Sequence, residues 1–99
     1  MVKWSVPARN DLKQIHDYIA KDSKYYARKV IQEIVAKTET LIELPEIGRI
    51  VPEISDQNIR ELIVYSYRLI YEMSGAGVEI LAIIHGRQDF NSIWDARDH

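Results

Sequence analysis

Four cations stand out in the C-terminal half of this 99-residue sequence: Arg60, Arg68, His85 and Arg87. Arginine keeps its charge at any physiological pH and can grip a phosphate through two parallel N–H bonds. Histidine exchanges a proton near neutrality, so together the four have the parts for phosphodiester cleavage. A plainer reading makes them the solvated edge of a sheet, with Arg60 paired to an acidic neighbour and Arg68 laying its aliphatic stem across the strands. The other unusual group is Phe90, Ile93 and Trp94, an i, i+3, i+4 apolar triplet inside the polar tail from Gly86 to His99. A segment this short is not a stable free helix, so its apolar side must dock on the chain's own sheet or on a partner.

Other chemistries lack their parts. His16, His85 and His99 are too scattered for a metal site, and the serines sit in no Gly-x-Ser-x-Gly elbow. No glycine-rich phosphate loop is present, and with Cys 0 there is no thiolate chemistry and no disulfide. No cofactor is expected. Thirteen Lys and Arg against fifteen Asp and Glu leave a net charge of −2, which disfavours broad nucleic-acid binding and leaves room for a local basic patch. No stretch approaches the ~20 apolar residues that cross a bilayer, and the N-terminus has no signal-like apolar run. A cytoplasmic protein without membrane contact is the expectation.

The elements that must position these residues follow from the hydrophobic pattern. Val2 to Val6 reads as a short strand ended by Pro7. Ala8, Leu12, Ile15 and Ile19 form one stripe of a helix, with Pro7 in its first turn and Asn10, Asp11, Lys13, Gln14 and Asp17 on the wet side. Asp22 or Ser23 can cap a second helix, along which Ala27, Val30, Ile31, Ile34, Thr38 and Leu41 repeat at helical spacing until Leu44-Pro45 stops it. Beyond Gly48 the runs Ile50–Ile54, Ile59–Tyr65, Tyr67–Tyr71 and Val78–Ile84 are β-branched and aromatic and read as strands. The expected fold is one α+β domain over 1–99 in the order β-α-α-β-β-β, its helical hairpin on one face of a small antiparallel sheet and 86–99 as a tail.

Short turns at Tyr65-Ser66 and Ser74–Gly77 set Val64 opposite Tyr67 and Met73 opposite Val78. Carried along the pleat, this register puts Glu61, Ile63, Arg68, Ile70, Leu81, Ile83 and His85 on one face. Tyr67, Leu69, Tyr71, Ile80, Ala82 and Ile84 take the other. Arg68 then meets His85, and a slip of one residue would undo that meeting.

Read in order, Ala8, Asp11-Leu12, Ile15 and Tyr18-Ile19, then Ala27, Leu44-Pro45, Gly48-Arg49, Ile59-Arg60-Glu61-Leu62, Tyr67-Arg68-Leu69-Ile70-Tyr71 and Ile83-Ile84-His85-Gly86-Arg87, resemble the ParE branch of the RelE/ParE superfamily, the toxins of type II toxin-antitoxin pairs, also called plasmid-stabilisation proteins. The resemblance spans about Trp4 to Arg87. It implies a growth-inhibiting toxin, a cognate antitoxin that holds it in a hetero-oligomer, and one of two targets: DNA gyrase for ParE-like members, or messenger RNA on the ribosome for RelE-like endoribonucleases. In the second case Arg68, His85 and Arg87 would be catalytic. The ribonucleases tend to be strongly basic and to carry a Tyr or His near the C-terminus. Here Phe90 stands in that region and cannot move a proton, which favours the gyrase branch. In that branch no residue is catalytic, and Arg60, Arg68, His85, Arg87, Phe90, Ile93 and Trp94 are contact or structural residues. A third possibility is a non-toxic interaction module on the same fold.

Overall fold

The computed structural model describes residues 2–97. Its elements are β1 (Val2–Trp4), α1 (Val6–Ala20), α2 (Lys24–Glu39), β2 (Arg49–Ile50), β3 (Ile59–Val64), β4 (Tyr67–Ser74), β5 (Gly77–His85) and α3 (Phe90–Asp95), with a 3₁₀ turn at Thr40–Ile42. Local chemistry explains the helix starts. Ser5 Oγ accepts the Ala8 N–H at 3.1 Å, and Pro7 occupies the first turn of α1, where its missing N–H is no loss. Of the two candidate caps for α2, Ser23 is the one used, accepting the Tyr26 N–H at 3.0 Å.

The five strands form one sheet in the order β1-β5-β4-β3-β2. Two expectations need correction. Neighbours are not all antiparallel: β1 runs parallel to β5, with Val2 opposite Val78 and Trp4 opposite Ile80. Nearly the whole chain separates these two strands, so no short turn forces them to reverse. The run from Ile50 leaves the sheet at once, because Pro52 has no N–H for a ladder; the chain turns instead, with Ser55 in the left-handed region at φ 58°.

Both hairpin registers are as expected near their turns, Val64 opposite Tyr67 and Met73 opposite Val78. Between them, however, a β-bulge intervenes. Tyr71 pairs with Ile80 while Ile70 pairs with Ala82, so Leu81 is the extra residue. A bulge of one residue reverses the parity of everything beyond it. Arg68 therefore lies opposite Ile84, not beside His85, and His85 lies opposite Tyr67. The expected meeting of Arg68 with His85 does not occur.

The reversal sorts the apolar residues into two cores. On the helix side, Leu62, Val64, Leu69, Tyr71, Val78, Ile80 and Ile83 pack against Ala8, Val30, Ile34 and Leu41. On the other side, Val51, Ile70, Ala82 and Ile84 pack against Phe90 and Trp94 of α3. Leu41 is fully buried, although it stands in the 3₁₀ turn just past α2 rather than in the helix itself. Leu41→Ala should cost about 2 to 5 kcal/mol by removing buried methyl groups and leaving a cavity. Urea unfolding is the check, and an unchanged midpoint would show that the turn does not depend on this side chain.

Candidate functional site

On the α3 side of the sheet, the polar centre is Glu61. Its side chain is 0% exposed, yet it is a carboxylate in the middle of a β-strand. A buried charge survives only when paired, and Glu61 is paired twice: it accepts from Arg49 Nε and from Arg68 Nε, each at 2.6 Å. Arg68 is occupied on every side. Its Nη1 and Nη2 grip the two oxygens of Glu53 at 2.8 and 2.7 Å, and its guanidinium carbon lies 4.6 Å from the centre of the Phe90 ring. The hydrogen bonds from Arg68 hold the Glu53 carboxyl well below its ordinary 4.5, down to about 2.

The loop from Pro45 to Arg49 is fastened to the same place. The fully buried Tyr71 hydroxyl donates to Pro45 O at 2.7 Å and accepts the Gly48 N–H at 3.0 Å. Burial pushes this phenol up, so it stays protonated and able to donate. A Cβ on Gly48 would come within 2.6 Å of both the Tyr71 hydroxyl and Glu61 O, which leaves room for glycine alone. Arg60 donates to the carbonyls of Gln57, Glu46 and Gly48 at 3.0, 3.3 and 3.1 Å. It thus holds backbone rather than the acidic neighbour expected of it.

His85 and Arg87 belong to a different place, a cleft of about 740 Å³ between α1, the end of β5 and α3. Its walls include Tyr18, Tyr67, His85, Arg87, Ile93 and Arg97. His85 meets the Tyr67 ring edge-to-face at 5.2 Å, and its Nδ1 lies 3.0 Å from the Arg87 backbone N–H. Beyond Trp4 the outer edge of β5 has no strand beside it among the described residues, and side chains satisfy its backbone instead. Asp11 Oδ2 accepts the Ile83 N–H at 2.9 Å, Gln88 Oε1 accepts the His85 N–H at 2.8 Å, and Ser5 Oγ and Arg97 donate to Leu81 O. Arg97 also pairs with Asp11 Oδ1 at 2.7 Å, which ties the chain beyond α3 to α1.

The residues singled out in the sequence thus separate. Arg68 and Phe90 form one cluster with Glu61, Arg60 clamps a loop, and His85 and Arg87 share the cleft with Ile93. Phe90 and Trp94 are buried on the chain's own sheet, their rings stacked at 5.7 Å. That placement takes Trp94 away from the role of an exposed anchor for a partner. His99 lies outside the described residues. Sequence reasoning missed Glu61, Asp11 and Arg97 as organisers. Glu61 did carry a signal, since a carboxylate inside a β-branched run is costly unless paired. Asp11 and Arg97 carried none, because two charges 86 residues apart show no pattern.

The family model described as ParE toxin of type II toxin-antitoxin system, parDE, matches residues 2–90. The chain belongs to the ParE toxin family. No curated protein matches it. Among solved structures, it is similar to the chromosomal ParDE toxin-antitoxin system from P. aeruginosa, at 25% identity and a TM-score of 0.71, covering 85% of this chain and 92% of that one. It also shares its fold with the RelB-RelE antitoxin-toxin complex from Methanococcus jannaschii, at 18% identity and a TM-score of 0.51, covering 97% and 99%.

In this ParE-family chain, the Pro-x-x-Gly-Arg, Arg-Glu-Leu and Tyr-Arg-x-x-Tyr segments are parts of one clamp. Arg68→Ala should therefore act on stability first. It would leave Glu61 buried with Arg49 as its one remaining partner and cost about 3 kcal/mol or more in urea unfolding. Unfolding at the parent's midpoint would contradict this role.

Acid should probe the same cluster. The folded value of Glu53 is depressed, so its bond to Arg68 adds stability that is complete above the ordinary 4.5 and is lost as pH falls toward 2. Glu53→Gln should flatten the fall of the thermal midpoint across that window. A variant whose acid limb matches the parent's would assign the acid sensitivity elsewhere.

Proposed function

We propose that this ParE-family chain is the toxin of a two-gene pair, that it arrests DNA gyrase by binding rather than by chemistry of its own, and that a cognate antitoxin neutralises it in a hetero-oligomer. The observation that carries the reading is the state of Arg68. A ribosome-dependent endoribonuclease would need Arg68, His85 and Arg87 turned toward one RNA backbone. Here Arg68 is taken up by Glu61, Glu53 and Phe90, while the bulge at Leu81 turns His85 to the other side of the sheet. Phe90 has no ionisable group. The net charge of −2 also speaks against a surface that holds a polyanion. The ParDE system of P. aeruginosa, similar over 85% of this chain, supports the toxin-antitoxin pairing. On this reading the protein works in the cytoplasm. His85, Arg87 and Ile93 make direct contacts with target or antitoxin, and Arg60, Arg68, Phe90 and Trp94 hold the surface in shape.

Supercoiling by purified gyrase tests the proposal. Added toxin should abolish it, and the protein encoded by the neighbouring gene should restore it. Full supercoiling at molar excess of toxin would remove the gyrase reading. Codon-linked breaks in messenger RNA, mapped by primer extension after induction, would put the endoribonuclease in its place. Unimpaired growth on induction without the neighbouring gene would favour the non-toxic interaction module.

A further inference from the structure

The cleft at the end of β5, whose His85, Arg87 and Ile93 the proposed function gives to target or antitoxin contacts, also has the composition of a site for a small anion. Among the described residues, its one acidic lining residue, Asp11, is spent on Arg97 and on the Ile83 N–H, so it does not oppose an incoming anion. Arg87 is exposed, and its guanidinium enters no hydrogen bond or ion pair among the described residues. His85 is oriented by the Tyr67 ring and by the Arg87 backbone N–H. That N–H can donate to Nδ1 only if Nδ1 carries no proton, so in the neutral ring Nε2 is the donor. Tyr18, 72% exposed, supplies an aromatic ring without a cover.

Two observations narrow the class of ligand. An extended peptide adding to β5 at the cleft would need the Ile83 and His85 N–H groups, and both are already bonded to side chains of this chain. What remains on offer is a forked cation, a ring N–H and a bare aromatic ring. This set suits a phosphate joined to a flat base, through a bidentate Arg contact at one end and stacking at the other. The volume, about 740 Å³, is in the range of small-molecule sites. An overall charge of −2 argues against a long polyanion track and leaves a site for a single phosphate group.

We propose that the cleft between α1, β5 and α3 binds one nucleoside phosphate unit, with the phosphate on Arg87 and His85 and the base on Tyr18. The unit can come from a free mononucleotide or from the phosphorylated end of a single strand. The site shares His85 and Arg87 with the proposed protein contacts, but its binding is read on the purified chain without gyrase, so a failed supercoiling assay would leave it standing.

The test is calorimetric titration of the purified chain with AMP, inorganic phosphate and a short 5′-phosphorylated oligothymidylate. AMP should bind more tightly than inorganic phosphate. Arg87→Gln should weaken both by about tenfold, and Arg87→Lys, which keeps the charge and loses the fork, should recover part of the loss. Tyr18→Ala should erase the advantage of AMP while leaving phosphate binding in place. Both side chains are exposed, so melting midpoints should stay at the parent's value. Preference for the oligonucleotide would identify a strand end as the source, and preference for AMP a free nucleotide. No binding of AMP or oligonucleotide at millimolar concentration, or equal binding by the Arg87→Gln variant, would overturn the proposal.

Discussion

A single carboxylate in the wrong place for a carboxylate organises this molecule. Glu61 lies wholly inside the sheet, where an unpaired charge would cost several kcal/mol, so the fold must bring cations to it. Two arginines answer from different directions. Arg49 comes from β2, just after the loop at 45–48, and its side chain remains 64% exposed, while Arg68 comes from β4 on the other flank of β3 and is 15% exposed. The loop is in turn fastened by Tyr71 and by Arg60. Motifs that look like separate signatures along the chain are therefore one physical object, a strand pair and a loop locked around a buried negative charge.

The sheet works with both faces, and this decides what each face can do. One carries the helical hairpin. The other is covered by α3, where Phe90 and Trp94 supply the apolar surface and Arg68 lies against the Phe90 ring. A face already covered by the chain's own tail, with its arginine neutralised by two carboxylates, is poorly equipped to hold a phosphate backbone. Of the four cations singled out in the sequence, the two still open to a ligand, His85 and Arg87, lie at the end of β5, in the cleft beside α1. Binding chemistry is thereby moved from the middle of the sheet to its margin.

That margin exists because β1 is short. It covers β5 only from Val78 to Ile80, and the remaining edge would be a row of unpaired backbone groups. Side chains of Ser5, Asp11, Gln88 and Arg97 close it instead, and in doing so they bring α1 and the tail together as the walls of the cleft. The same contacts that protect an exposed edge also build the pocket.

Much of this was legible in the residues alone, because it rests on local rules. Helix periodicity placed Ala8, Leu12, Ile15 and Ile19 on one stripe of α1; Asp22 and Ser23 narrowed the cap of α2 to two neighbours; Pro45 and Gly48 marked the end of the helical half; and the β-branched runs fixed three of the strands. The order of the motifs was enough to point to the family. The sequence could not show the bulge at Leu81, because no residue type there requires an extra position in the ladder, and parity beyond a bulge depends on how the partner strand packs. That one inserted residue sent His85 to the helix side and left Arg68 on the other. Nor could it show that Arg97 reaches Asp11, that β1 joins β5 in parallel, or that Trp94 turns inward to its own sheet. Those pairings link residues far apart along the chain, and only the closed tertiary structure decides which distant charge or apolar surface each will meet.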